Sequence, residues 1–169
     1  VQRIYVQESI CDEVATKLTA AAKKLIVGDQ LDPKTEVGPL INHDEVNRVE
    51  EWVNDAVSKG ATILTGGKRI GASCYEPTVI LNAPDDAIVS QKEVFGPVVC
   101  IYSYKTLDEA ISRANSLEVS FQAAVFTKNI DTALKAVKRL NATAVMVNEH
   151  TAFRVDWMPF VGARVSGLG

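Results

Sequence analysis

Residues able to do chemistry are few in this chain, and they gather in two places. The stretch QKEVFGPVV (91–99) sets Glu93 and Phe95 two apart, on a turn marked by Gly96 and Pro97, ahead of an apolar run. From residue types alone, the simpler reading is that Glu93 is a solvated surface charge and Phe95 a core plug. The second place is EHTAFRVDWMPFVGARVSGLG (149–169), which carries Phe153, Arg154, Trp157 and Phe160 and has no regular period. A loop of about 20 residues in a compact domain is usually functional or disordered, and its aromatic content argues against disorder. The remaining candidates lack partners. Cys100 lies inside an apolar run and reads as a core thiol. Cys11 falls in the first turn of an expected helix, where the dipole could lower its pKa. With no His or Arg beside it in sequence, Cys11 reads as surface filler. Cys74 has no evident activator, and His43 and His150 fall in no metal-ligand spacing. Gly66 and Gly67 precede no helix signal, so they form no phosphate-binding fingerprint. Residue chemistry alone yields no complete catalytic constellation.

Bulk properties narrow the class. A chain of 169 residues with 47% hydrophobic and 23% charged residues reads as one ordinary globular domain, residues 1–169. A net charge of -3 argues against nucleic acid as partner. No apolar run approaches the roughly 18 residues of a membrane span. An odd cysteine count without metal spacing fits a reducing compartment, and a cytoplasmic enzyme or enzyme part is the expectation.

The elements that must position these residues follow from periodicity. Residues 2–7 read as a strand. A helix follows with Ser9 and Asp12 at its start, an apolar face of Ile10, Val14, Leu18, Ala21 and Leu25, and a stop at Gly28. Asn42 with Glu45 caps a second helix that Gly60 closes. Short strands are expected at 62–65 and 76–81. Beyond them, strand 98–104, a helix opened by Thr106 and Glu109, strand 123–127, a helix opened by Asn129 and strand 144–148 alternate. That order predicts parallel βαβ units: an α/β fold with an open, mostly parallel sheet and helices on both faces. Sites in such sheets form beyond the carboxyl ends of the strands, where the loop after 148 begins.

QKEVFGPVVCIYSYKTLDEAISRAN, AAVFTKNIDTALKAVKRL and VNEHTAFRVDWMPF…SGLG closely resemble the C-terminal part of the aldehyde dehydrogenase superfamily, and the opening VQRIYVQESICDEV resembles the start of its catalytic domain. The likeness runs along essentially the whole chain. It implies an NAD(P)-dependent enzyme that oxidises an aldehyde to a carboxylic acid through a cysteine thiohemiacetal, with NAD or NADP as cofactor, and a homo-oligomer. It also implies that the nucleophilic cysteine lies about three residues before Val1, that the nucleotide-binding domain, the general-base glutamate and the oxyanion asparagine lie further upstream, and that a closing strand lies past Gly169. On that reading the chain is a catalytic domain truncated at both ends, holding no catalytic residue and inactive alone. The position matching Glu93 accepts hydrogen bonds from the nicotinamide ribose, and that matching Phe95 contacts the nicotinamide. Two carboxylate oxygens suit a pair of hydroxyl donors.

For the substrate, Phe160 matches a position lining the aldehyde tunnel, with Phe153 and Trp157 as possible neighbours. Arg154 matches an arginine that some members use to anchor phosphorylated, phosphonylated or carboxylated aldehydes. The alternative is that Arg154 pairs with Asp156 or Glu149 and holds the loop. Members acting on neutral hydroxyaldehydes such as lactaldehyde have a similar Arg-Val-Asp stretch. Two departures from the family pattern stand out: Val161 replaces a glycine, and Ser120-Phe121-Gln122 replaces the more usual Tyr-Gly-Leu. A different class of reading is a stand-alone, non-catalytic α/β structural or oligomerisation module.

Overall fold

The computed structural model, which describes residues 1–167, divides into two compact units, Val1–Ser103 and a second that begins at Tyr104. The Ser-Gly-x-Gly ending noted in the sequence reaches Leu168 and Gly169, which lie outside the described residues. In the first unit the order is β1 (Arg3–Gln7), α1 (Glu8–Ala22), α2 (His43–Ser58), β2 (Thr62–Thr65), β3 (Arg69–Ile70), β4 (Cys74–Tyr75), β5 (Thr78–Leu81), α3 (Ile88–Gln91) and β6 (Val98–Tyr104). Four of these strands form a sheet in the order β1-β6-β5-β2. β5 and β6 run parallel, with Thr78 opposite Val98 and Leu81 opposite Ile101, while β2 is antiparallel to β5.

The two-residue alternation of the strands decides which helix each side chain meets. Val79 and Ile101 pack with Val6, and with Cys11 and Ala15 of α1. Their neighbours Ile80, Cys100 and Tyr102 pack with Val46, Val49, Val53 and Ala56 of α2. Helices therefore cover both faces of this sheet, and strands buried on two sides read as continuous apolar runs. Asn42 caps α2 as expected, its side chain accepting from the Glu45 N–H at 2.9 Å. The start of α1 differs from the sequence reading: Gln7 is the cap residue, with no side-chain bond, and the helix begins at Glu8. β1 runs straight into α1, so Ser9 lies within the helix. The helix also ends at Ala22, short of Gly28, because the amides of Lys23, Lys24 and Leu25 finish it with bonds back to Thr19, Ala21 and Ala22.

The second unit holds α4 (Leu107–Ala114), β7 (Val119–Ser120), β8 (Gln122–Val125), α5 (Ile130–Arg139), β9 (Ala144–Val147) and β10 (Ala163–Arg164). Thr106 and Asn129 cap α4 and α5, accepting from Glu109 N–H at 3.3 Å and Thr132 N–H at 2.9 Å. β8 and β9 are parallel, paired from Gln122–Ala144 to Val125–Val147, with α5 between them in sequence. That βαβ unit is the one the periodicity predicts. The expectation of three successive strands in one parallel sheet is corrected at β6. Its neighbours in the sheet are β1 and β5, so both its edges are taken. The architecture is therefore mixed. Among the described residues, no helix is long and apolar enough to cross a membrane.

Candidate functional site

The turn before β6 is built around Val94. Its side chain is buried in the core against α2, at 1% exposure. Its N–H donates to Gln2 Oε1 at 2.7 Å, and its carbonyl accepts from Arg48 Nη2 at 2.6 Å. Arg48 is itself fixed: it pairs with Glu45 at 2.5 Å and lies over the Trp52 ring at 4.3 Å. Gripped by its side chain and both backbone groups, Val94 leaves its two sequence neighbours facing outward. Glu93 is exposed and makes no hydrogen bond or ion pair among the described residues. Phe95 is 74% exposed and holds φ at 47°. The core-plug reading of Phe95 is overturned by that exposure. A bulky residue in the left-handed region is strained, and such strain persists only where the surroundings impose it. Gly96 allows the close approach of α2, since a Cβ there would lie 2.9 Å from Val49 Cγ2.

In the second unit, β10 pairs with β7, Ala163 opposite Ser120 and Arg164 opposite Val119. This pairing returns the loop after β9 to residues 119–121, and Phe160 meets Phe121 edge-on with ring centroids 4.9 Å apart. The Arg154 guanidinium lies over the Phe160 ring at 4.5 Å. Phe121, Phe160 and Arg154 thus form one stack. The two arginines of the loop differ in what they do. Arg164 donates to the carbonyls of Asn115, at 3.0 Å, and Leu117. Arg154 makes no hydrogen bond or ion pair among the described residues. The pairing with Asp156 or Glu149 offered by the sequence is not formed. Glu149 bonds instead to the backbone N–H of His150 at 2.9 Å. Phe153 lies in a shallow groove with Val145, Met146, Val147, Glu149 and Met158. Trp157 is 85% exposed and meets neither ring of the stack.

Neither buried cysteine is placed to act as a nucleophile. Burial pushes the Cys100 thiol up to about 11, although a hydrogen bond with Tyr102 opposes the shift. Cys11 is buried in the core rather than exposed on the surface. Its pKa is raised, first by burial and then by Asp12 and Glu8, the reverse of the dipole effect the sequence suggested. Cys74 is partly exposed within β4. Among the described residues, no group of three His, Cys, Asp or Glu side chains forms a metal site.

Sequence reasoning missed Gln2 and Arg48, because their partners lie 92 and 46 residues away. No local spacing signals such bonds. Phe121 gave a signal, an aromatic residue where the resembling family has glycine, but its partner Phe160 could not be read from it.

The aldehyde dehydrogenase family profile matches residues 1–169. A 3-sulfolactaldehyde dehydrogenase of Priestia aryabhattai is 44% identical over 169 residues, a match covering 100% of this chain and 35% of that protein. The mitochondrial succinate-semialdehyde dehydrogenase of Oryza sativa subsp. japonica is 42% identical, covering 99% of this chain and 32% of its own length. Among solved structures, aldehyde dehydrogenase 21 of Physcomitrella patens in complex with its reaction product succinate superposes with a TM-score of 0.95 at 39% identity. That match covers 99% of this chain and 35% of the other. A double mutant of betaine aldehyde dehydrogenase from Staphylococcus aureus in complex with NAD+ gives 0.92 at 36% identity, again over 99% and 35%. The chain thus spans about a third of the length of the proteins it matches.

Proposed function

Because the chain belongs to the aldehyde dehydrogenase family, we propose that it forms the part of an NAD(P)-dependent aldehyde dehydrogenase that seats the nicotinamide end of the cofactor and receives a small, anionic aldehyde. The donor and acceptor set fits such a cofactor. Among the described residues Glu93 keeps both oxygens free for a ribose diol, and Phe95 presents an exposed ring beside it. When bound, the nicotinamide would supply the acceptor for the hydride that leaves the former aldehyde carbon after a thiolate has added to it. On this reading the oxidation runs through a cysteine thiohemiacetal, whose loss of hydride leaves a thioester that water hydrolyses; Cys11 and Cys100, buried and raised in pKa, are not the thiol that attacks.

The observation that carries the substrate class is Arg154, a guanidinium that spends no donor among the described residues and lies over the Phe160 ring, 4.5 Å from its centroid. A planar fork of that kind grips carboxylate, phosphate or sulfonate through parallel bonds and stays charged at any working pH. The relatives named for 3-sulfolactaldehyde and succinate semialdehyde support the same class, both being anionic aldehydes. The test uses a full-length aldehyde dehydrogenase carrying this chain. Arg154→Ala should lower kcat/KM on an anionic aldehyde by roughly 10- to 150-fold, the equivalent of one charged hydrogen-bonded contact. Activity on a neutral aldehyde of similar size should stay within about twofold, since the lost contact is worth little to a neutral ligand. Equal losses on both would mean that Arg154 holds the loop rather than the substrate.

A further inference from the structure

Gln2 lies one residue ahead of β1, and its backbone carbonyl accepts from the Cys100 N–H of β6 at 2.8 Å. Its side chain reaches the segment that precedes β6. Nε2 donates to the Val89 carbonyl at 2.8 Å and to the Lys92 carbonyl at 2.7 Å, while Oε1 accepts from the Val94 N–H at 2.7 Å. Both amide hydrogens and one oxygen lone pair are used. Few side chains could make that set. Glutamate would turn acceptors toward two carbonyls, lysine has no acceptor for the Val94 N–H, and asparagine is one methylene shorter. A single residue therefore ties the strand β6 and the turn leading into it to the same point. Arg48 closes the grip from α2 through the Val94 carbonyl.

We propose that Gln2 is a positioning residue for the reaction: its carboxamide sets the backbone of 89–94 so that Glu93 and Phe95 face the cofactor in one geometry. The inference rests on the ribose reading of Glu93. It adds that the platform is pre-formed, held by a residue about ninety positions away in sequence, rather than moulded when cofactor binds. Nothing else in the turn fixes the Val94 amide. Its carbonyl, gripped by Arg48, would still anchor the residue without fixing the peptide plane between Glu93 and Val94.

The test joins an exchange measurement on the chain itself with kinetics in a full-length enzyme carrying it. Gln2→Met keeps the side-chain length and removes all three bonds; Gln2→Ala is its smaller counterpart. Without cofactor, hydrogen exchange at the Val94 amide should accelerate at least about 10-fold in Gln2→Met, the effect of one buried hydrogen bond. Single-turnover hydride transfer should fall roughly 10- to 100-fold, as expected when a positioned group shifts by about an ångström. Binding of ADP, which lacks the nicotinamide ribose, should not change. In a double-mutant cycle, Gln2→Met with Glu93→Gln should be little slower than the worse single variant, because both remove the same placement. Wild-type hydride transfer in Gln2→Met, or fully additive losses in the cycle, would overturn the inference. If Glu93→Gln alone transfers hydride normally, the ribose reading fails first. The clamp then stands or falls on Val94 exchange, which unchanged protection would refute.

Discussion

Phe95 has its ring 74% exposed and its backbone at φ 47°, a conformation that costs a residue with a Cβ about 1–2 kcal/mol. A residue that contributes little packing and stores strain is a poor choice for stability and a reasonable one for contact with a ligand. Phe95→Gly should therefore leave the unfolding free energy unchanged or raise it by about 1 kcal/mol, measured by urea titration of the chain. In a full-length enzyme the same variant should slow hydride transfer. A loss of stability above about 1 kcal/mol would mean that the ring is packing material after all. Val94 gives the contrast one position away. Its burial predicts that Val94→Ala costs about 2 kcal/mol, from the two buried methyl groups removed. The sequence marks Glu93 and Phe95 as unusual, but not that Val94 between them is the anchor. That depends on Gln2 and Arg48, whose bonds span 92 and 46 residues.

At the scale of elements, local chemistry was legible where it acts locally. The caps at Asn42, Thr106 and Asn129 form with their expected N–H partners, since each needs only residues three apart. The partner of a strand was not legible. β6 reads as the first of three parallel strands, yet its edges go to β1 and β5, and period-two patterning says nothing of which edge pairs with which. The seat of α2 against the turn suggests one test. Gly96→Ala would place its Cβ 2.9 Å from Cγ2 of the buried, β-branched Val49. We expect a loss of roughly 1–3 kcal/mol, read by thermal unfolding. The same core sets a response to alkali. Burial raises Cys100 to about 11 and Tyr75 to about 12, so the folded state holds these protons more tightly than the unfolded one. The Cys100 contribution is fully present below about pH 8.5, where an unfolded thiol titrates, and is lost as pH rises toward about 11. The urea midpoint should fall across that window, and fall less in Cys100→Ala. A midpoint that stays level throughout the window would contradict the buried-thiol assignment, because a proton held more tightly by the folded state must make stability depend on pH.

At the scale of the molecule, β8 and β9 form a sheet of only two strands among the described residues, with Val147 43% exposed. Two-stranded sheets are marginal alone, and unpaired edges template association. The 169-residue chain should therefore self-associate as its concentration is raised, in keeping with the homo-oligomer that the family resemblance implies. A concentration-independent monomer in sedimentation would count against this. The family was legible in the sequence because its motifs are local strings. The stack of Phe121, Phe160 and Arg154 was not, because β7–β10 pairing assembles it from distant parts of the chain. The central claim, that the turn before β6 exists to present Glu93 to a nicotinamide ribose, has one direct measurement. In a full-length enzyme carrying this chain, Glu93→Gln should lower single-turnover hydride transfer roughly 10- to 150-fold, the worth of a hydrogen bond to a charged acceptor. Cofactor affinity should change much less, because the adenosine end remains bound. Hydride transfer at the wild-type rate would contradict the account.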